Sequence, residues 1–351
     1  MNKDAKILEC IPNFSEGVNT EVIDAIAQAI RSVDAQQLLH IDQGPAANRT
    51  VMTFAGAPEA VVEAAFRAIK VAAQYIDMMQ QHGEHPRVGA TDVCPLVPLQ
   101  NMKMEEAVYW SEVLAQRVVT EIGIPVFLYE HSAKADYRRA LPDIRKGQYE
   151  GIFTKMKQAD WQPDYGGINR DNETEVRKTG VTIIGARDIL VAFNISLDTQ
   201  DETIAMNIAK RMRSSGYFIK DSEGKRKQVA GMLPKLRAIG WYMSDFKAAQ
   251  VSMNLIDYRI TSPLAVWQAC KALAAEHGVS LTGCEVVGLI PLACVTEAGK
   301  YALKNDTATE QKLVAAGIAY LKLDGVKPFN PQEKILEYAL LEKAGVALTN
   351  Q

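Results

Sequence analysis

The chain has 351 residues, of which 48% are hydrophobic and 23% are charged, and its formal net charge at pH 7 is -3. This length predicts two domains, because a single hydrophobic core rarely grows beyond about 250–300 residues. The balanced charge offers no basic surface for nucleic acid or an anionic membrane, and neither a signal peptide nor an uncharged apolar span is evident, so we expect a cytoplasmic protein.

The first half of the sequence alternates between strand and helix patterns. Strands are predicted at residues 7–12, 38–42, 50–54, 93–99 and 125–129. Helices are predicted after an N-cap at Thr20, from Pro58 to near Gly83, and over residues 104–122. This β-α-β-β-α-β order, with one added helix and strand, is typical of a sheet covered by helices on one face.

The second half repeats this order. Strands are predicted at residues 181–184, 189–195, 237–243, 250–256 and 285–290, and helices at 202–213 and from Ser262 to His277. We therefore predict an α+β fold of two ferredoxin-like α/β sandwich subdomains side by side, residues 1–179 and 180–330, followed by a helical tail at 331–351. Residues 164–179 are predicted as the linker, and residues 225–227 as a solvated loop.

Residues 83–95, Gly-Glu-His-Pro-Arg-Val-Gly-Ala-Thr-Asp-Val-Cys-Pro, hold most of the reactive groups between a helix and a strand. His85 precedes Pro86, which disfavours helical dihedrals, so the imidazole is expected on an extended segment past the helix end. A histidine crowded by charges and glycines in a loop is typical of an acid-base catalyst, although a structural histidine fits the pattern equally well.

No metal site or disulfide framework is predicted. His82, His85 and Asp92 could suggest zinc, but Gly83 and Pro86 interrupt the helical face that such a histidine pair needs. The five cysteines are odd in number and widely spaced, which predicts reduced, buried thiols: Cys10, Cys94, Cys270, Cys284 and Cys294.

These motifs resemble the glutamate formimidoyltransferase family, which also forms the N-terminal half of formimidoyltransferase-cyclodeaminase. Residues 83–95 are similar to the family signature GEHPRMGALDVCP. Further matches follow in the same order as in the family, at residues 9–17, 42–51, 192–195, 238–242 and 287–291. The resemblance extends over residues 7–335, and the short remainder leads us to expect a monofunctional enzyme without a cyclodeaminase domain.

The resemblance implies transfer of the formimidoyl group from N-formimidoyl-L-glutamate to N5 of tetrahydrofolate, a step of histidine degradation and one-carbon metabolism. Folate would be a co-substrate in a cleft between the subdomains, with no metal required, and a homodimer is expected. His85 matches the family's acid-base residue, and a neutral imidazole with an ordinary pKa of about 6.5 can take and return protons. Asp42 matches the carboxylate beside the cationic formimidoyl group, and Glu84 is the second candidate.

Binding residues are expected in the same motifs. The two carboxylates of the donor favour arginine, so Arg49, Arg87 or Arg187 is expected to bind it, although each could also form a surface ion pair. Residues 166–180 match the folate-contacting loop of the family, which includes Gly166, Gly167 and Gly180. The insert at residues 169–178 is longer and more charged than the vertebrate loop.

Two other functions fit parts of this pattern. A formimidoylglutamate hydrolase would direct water to the same amidine carbon, and a folate-binding carrier would need no acid-base group at His85. Residues 13–17 fit a structural turn as well as a loop that faces substrate.

Overall fold

The computed structural model describes residues 5–348 and forms two compact units. Unit 1 comprises residues 5–188 and 339–348, and unit 2 comprises residues 189–338. Each unit combines one main β-sheet with helices, which confirms the predicted α+β class with two subdomains. Within residues 5–348, no helix is long and apolar enough to cross a membrane.

Unit 1 contains a seven-stranded sheet. Its strands are β1 (Ile7–Cys10), β2 (Asn13–Phe14), β3 (Gln36–Gly44), β4 (Arg49–Gly56), β5 (Thr91–Gln100), β6 (Val126–Leu128) and β7 (Thr182–Ala186). Its helices are α1 (Thr20–Arg31), α2 (Pro58–Tyr75), α3 (Met104–Arg117), α4 (Leu141–Arg145), α5 (Gln148–Lys155) and α6 (Glu173–Thr179), with a π-helical turn at Val118–Ile122. The strand order is β3, β4, then β1 and β2 end to end, then β5, β7 and β6. Only the β5–β7 and β7–β6 pairs are parallel.

Helices cover the parallel strands of unit 1 on both faces. Residues on one face pack with α2 and α3, as Cys94 and Leu128 do, whereas Val93 and Phe127 point to the opposite face. There they pack with apolar residues of α4 and α5, including Ile144. Since side chains alternate along a strand, the main core of unit 1 and a second, smaller core form on the two faces of the same three strands. The second core holds α4 against the sheet.

Unit 2 repeats the β-α-β-β-α-β order. Its strands are β8 (Val191–Leu197), β9 (Tyr217–Lys220), β10 (Arg226–Val229), β11 (Leu236–Met243), β12 (Ala248–Leu255) and β13 (Leu281–Val287). Its helices are α7 (Glu202–Met212), α8 (Pro263–Glu276), α9 (Leu292–Leu303), α10 (Glu310–Leu321) and α11 (Pro331–Lys334). The main sheet is antiparallel in the order β11, β12, β8, β13, and β9 pairs with β10 in a separate hairpin.

The C-terminal segment is α12 (Leu336–Ala344), which begins in unit 2 and ends in unit 1. In unit 1 the Lys343 ammonium donates to the carbonyl of Leu39 at 2.7 Å, and Val346 is buried. The described part of the predicted helical tail consists of two helices rather than one, because Ile335 is extended and bridges Ile290 between α11 and α12.

Two helix boundaries differ from the sequence-based expectation. The N-cap of α1 is Asn19 rather than Thr20. The Asn19 side chain accepts hydrogen bonds from the backbone N–H groups of Glu21 and Val22. Helix α2 ends at Tyr75 and does not continue to Gly83. Ile76 is already extended, and the N–H of Met78 donates to the carbonyl of Lys178, so tertiary pairing ends the helix although the apolar periodicity continues.

Residues 164–179 are not a linker between the units. The Asp164 carboxylate accepts from the backbone N–H of Leu128 and forms a bidentate pair with Arg138. The segment then forms α6 and leads into β7, which pairs with β5 and β6 in unit 1. Residues 225–227 are exposed, as predicted, but Arg226 and Lys227 belong to β10 rather than to a loop. All five cysteines are buried, and none forms a disulfide.

Gly180 and Gly89 let two backbone segments touch just before β7 and β5. Gly180 has φ +70° and ψ -149°, a region open only to glycine, and a Cβ atom there would lie 2.3 Å from the carbonyl oxygen of Val88. A Cβ on Gly89 would lie 2.1 Å from the carbonyl oxygen of Val181. The two glycines therefore fix the spacing between the segment after His85 and the start of β7.

We expect Gly180→Ala to lower the free energy of unfolding by at least about 3 kcal/mol, because the backbone strain and the clash with Val88 act together. Gly123→Ala is the control: Gly123 also has positive φ, but nothing lies within 4 Å of its missing Cβ. That variant should lose only about 1 kcal/mol. Urea denaturation of both variants measures the difference, and equal losses would contradict the role of close packing.

Candidate active site

The N-terminal ends of β5, β7 and β6 lie side by side, because these three strands run parallel in register. The segment of His85 leads into β5, Gly180 leads into β7, and Tyr165 bridges Val126 at the start of β6. The structure therefore brings His85, Gly180 and Gly166 together in unit 1 along the edge of the sheet at which these three strands begin. Sequence spacing alone could not show this arrangement.

Arg49 lies at the centre of this edge, with a buried guanidinium. Its Nε and Nη2 atoms donate to Asn13 Oδ1 at 3.0 and 2.7 Å, and Nη1 donates to Asp92 Oδ2 at 2.8 Å. Nη1 also lies 3.0 Å from Nδ1 of His85. Burial lowers the pKa of Arg49 to about 10, partly offset by Asp92, so the group stays charged at neutral pH.

Asp92 is completely buried at the start of β5. Its Oδ1 accepts from the backbone N–H of Val88 at 3.0 Å and from Arg145 Nε at 3.3 Å. Its Oδ2 pairs with both Arg49 Nη1 and Arg145 Nη2. Burial opposes ionisation of Asp92, but the two guanidinium groups outweigh it and hold the pKa of the carboxyl below its usual value.

The His85 imidazole lies between a permanent donor and a permanent acceptor. Nδ1 is 3.0 Å from Arg49 Nη1 and 2.8 Å from the carbonyl oxygen of Pro86. Arginine can only donate and a carbonyl can only accept, so Nδ1 finds a partner in either neutral tautomer. Burial, then Arg49 and Arg145, lowers the pKa of His85 well below 6.5. The ring is therefore neutral at pH 7 and able to accept a proton.

Asn48 ties the loops around His85 to one another. Its Oδ1 accepts from the N–H of Gly17 at 2.9 Å, and its Nδ2 donates to the carbonyl of His82 at 2.7 Å. The residue adopts a left-handed conformation with φ +45°, which asparagine tolerates better than most residues. Residues 83–90, which carry His85 and precede β5, are called the histidine segment. A Cβ on Gly83 would lie 2.4 Å from the carbonyl oxygen of Ala47, so this segment is packed directly onto the β3–β4 turn.

Asp42 lies on the same face of the sheet as Arg49. On β3 it pairs with Val51 of β4, and Val51 in turn pairs with Asn13 of β2. Directly paired residues share a face, as do residues two apart along a strand. The Asp42 carboxylate lies 3.7 Å from Nε2 of His40. The role of Asp42 beside the reacting group stays a prediction.

The remaining candidate charges are in different positions. Arg87 is buried and holds Glu150 of α5 through both Nη atoms and Gln81 through Nε, which anchors the histidine segment to α5. The Glu84 side chain is exposed. Arg187 is not brought to His85: its N–H donates to Leu96 in the middle of β5, roughly 13 Å along the strand from Asp92.

The glycines predicted to contact folate are at the same edge as His85, but their settings differ. Gly166 has φ +71°, and a Cβ there would be 3.0 Å from the Val119 side chain. The carbonyl of Gly167 accepts from Nδ2 of Asn172 at 2.9 Å, and open space surrounds its missing Cβ. Across residues 5–348, no group of three His, Cys, Asp or Glu side chains is placed to hold a metal ion.

The structure adds three side chains that the sequence did not identify as site residues. Asn13 and Asp92 lie inside the recognised motifs, so the motifs could have pointed to them. Arg145 lies 53 positions from Asp92 in a five-residue helix, and no local pattern distinguishes it from a surface arginine. Together with Arg49 and His85, these three residues form the cluster that is called the arginine–histidine cluster below.

Two family models match the chain. The model described as "Formiminotransferase domain, N-terminal subdomain" matches residues 7–187, and the one described as "Formiminotransferase domain" matches residues 192–341. The arginine–histidine cluster falls within the first match.

Curated relatives agree with these models. The glutamate formimidoyltransferase of Streptococcus pyogenes serotype M1 is 42% identical over 301 residues, which cover 86% of this chain and 94% of the relative. That of Thermoplasma acidophilum is 39% identical over 300 residues, covering 85% and 92%. The formimidoyltransferase-cyclodeaminase of Rattus norvegicus is 40% identical over 95% of this chain, which spans only 60% of that longer relative.

We expect the folded protein to lose stability as the pH falls below about 6.5. The pKa of His85 is lower in the folded than in the unfolded chain, so the unfolded chain binds the proton first, and the loss ends below the folded-state pKa. Urea denaturation between pH 7 and 5 measures this slope. His85→Gln should reduce it, and an unchanged slope in that variant would contradict a neutral, partly buried imidazole.

Proposed function

Because the chain belongs to the formiminotransferase family, we propose that it is a glutamate formimidoyltransferase. It would transfer the formimidoyl group of N-formimidoyl-L-glutamate to N5 of tetrahydrofolate and release L-glutamate. Tetrahydrofolate is then a co-substrate, and the step belongs to histidine degradation and one-carbon metabolism. We retain the sequence-based expectation of a cytoplasmic homodimer.

The observation that supports this reaction is the neutral, partly buried imidazole of His85. With Nδ1–H donating to the Pro86 carbonyl, Nε2 is the unprotonated, basic nitrogen of the ring. As N5 attacks the amidine carbon, Nε2 can take the N5 proton. The same proton then passes to the glutamate nitrogen as the carbon–nitrogen bond of the donor breaks, so the ring returns to its neutral form.

The positive neighbours of His85 suit both halves of this cycle. Arg49 and Arg145 disfavour the imidazolium, which keeps the resting ring ready to accept a proton. For the same reason the imidazolium is a stronger acid than an ordinary one, and it gives the proton to the leaving amine readily. The low pKa thus favours proton donation to the departing glutamate, and it keeps the resting ring in the neutral form that the attack of N5 requires.

We assign Asp42 to the cationic formimidoyl group. The arginine–histidine cluster carries two guanidinium groups, those of Arg49 and Arg145, against one carboxylate, Asp92. A second carboxylate beside the donor would offset this excess of positive charge. Glu84, exposed next to His85, is the alternative.

The proposed binding residues differ in how well their contacts suit the role. Arg49 and Arg87 are already held by protein partners, which suits a positioning role better than direct binding of a donor carboxylate. Arg187 is only partly buried, but its backbone lies beside the middle of β5, away from His85. We propose that folate approaches the edge formed by Gly166, Gly167 and Gly180, where backbone groups can come close to a flat ring.

The reaction class can be tested directly. We expect glutamate release from N-formimidoyl-L-glutamate to require tetrahydrofolate and to yield one equivalent of formimidoyl-folate per glutamate. Equal release without folate would instead show a hydrolase. Folate binding with no release under either condition would show a carrier.

Replacing the proposed base gives a second test. We expect His85→Ala to lower turnover by at least about 10²-fold, because it removes the proton acceptor. His82→Ala is the matched control, since His82 is exposed and lies outside the cluster. Steady-state kinetics of the two purified variants decide the assignment. A damaged His82→Ala beside a nearly normal His85→Ala would reverse it.

A further inference from the structure

We propose that Arg145 and Asp92 are positioning residues for this reaction, because their ion pair holds the guanidinium of Arg49 against the imidazole of His85. The inference rests on the proposed function for the chemistry that His85 performs. It goes beyond that function in giving a role to α4, a short helix outside every recognised motif.

The geometry makes Asp92 a shared anchor. Its two oxygens receive a backbone N–H from Val88, two nitrogens of Arg145 and one of Arg49. A fully buried carboxylate is stable in its ionised form only when such partners surround it. Arg145 supplies two of the four donors, so its loss would leave Asp92 held mainly through Arg49 and Val88.

Arg145 itself is held firmly. The preceding residue, Ile144, is buried in the second core between α4, α5 and the sheet. Lys155 of α5 donates to the carbonyls of Asp143 and Ile144 at the end of α4. The ammonium group of Lys155 also lies 3.6 Å from the centre of the Trp161 ring. A short helix fixed by a core residue and a lysine cap can place one side chain with little freedom.

The charges around His85 come from three elements. Arg49 faces the ring from β4, Asp92 from β5 and Arg145 from α4, so two positive charges stand against one negative charge. Removing the charge of Arg145 leaves one of each sign. Protonation of His85 then becomes easier, and a larger fraction of the rings is unable to accept a proton near neutral pH.

A merely structural arginine would behave differently. Arg138 offers the comparison, because it also forms a bidentate pair with a buried carboxylate of unit 1, Asp164, at 2.7 and 3.0 Å. Its loss should lower stability in a similar way. It pairs with Asp164 and has no contact with the arginine–histidine cluster among the described hydrogen bonds, so we expect it to leave the pKa of that ring nearly unchanged.

The experiment combines NMR titration of the His85 ring with steady-state kinetics. Arg145→Gln removes the charge but keeps an N–H donor, Arg145→Met removes both, and Arg145→Lys keeps the charge. We expect Gln and Met to raise the pKa of His85 and to lower kcat by roughly 10- to 100-fold, with KM for both substrates within about twofold. Arg145→Lys should keep the pKa of His85 near its original value and keep kcat within about fivefold.

An unchanged pKa of His85 in a folded Arg145→Gln or Arg145→Met protein would overturn the inference, as would the same rise in Arg138→Met. A large increase in KM at constant kcat would also overturn it, because Arg145 would then bind substrate. Failure of the proposed function appears separately, as a lack of folate-dependent transfer by the unaltered protein, whereas the titration tests the positioning without any substrate.

Discussion

The buried carboxylate of Asp92 is the interaction on which the site depends. It lies at the start of β5, where it links a backbone N–H of the histidine segment to arginines from β4 and α4. An ion inside a protein is tolerated only when its partners compensate for lost hydration. Three separate parts of unit 1 must therefore be in place together before the arginine–histidine cluster exists.

The direction of the strands explains why these parts meet. The antiparallel strands of unit 1 form one half of the sheet, and the addition of β7 and β6 beside β5 creates a parallel region. Segments that enter parallel strands arrive at the same edge. The glycine contact between residues 89 and 180 then sets their spacing, and α4 and α5 cover the face that carries Arg49 and Asp92.

Local sequence patterns predicted most strands and the β-α-β-β-α-β order of both units, because alternation and helical periodicity are properties of short segments. Local patterns gave the wrong result where tertiary contacts determine the end of an element. The apolar stripe of α2 continues past Tyr75, yet pairing of Met78 with Lys178 ends the helix. His85 stood out because of its charged and glycine-rich surroundings. Arg145 did not, since its importance comes only from the distant Asp92.

Unit 1 is built from two separate stretches of the chain, and this has a consequence for folding during translation. Residues 339–348 belong to unit 1, although the whole of unit 2 precedes them in the chain. The Lys343 contact with Leu39 and the burial of Val346 can form only after the ribosome has made the whole of unit 2. The sheet of unit 2 can therefore form before unit 1 gains the contacts of α12 and the residues that follow it, although most of unit 1 is synthesised first.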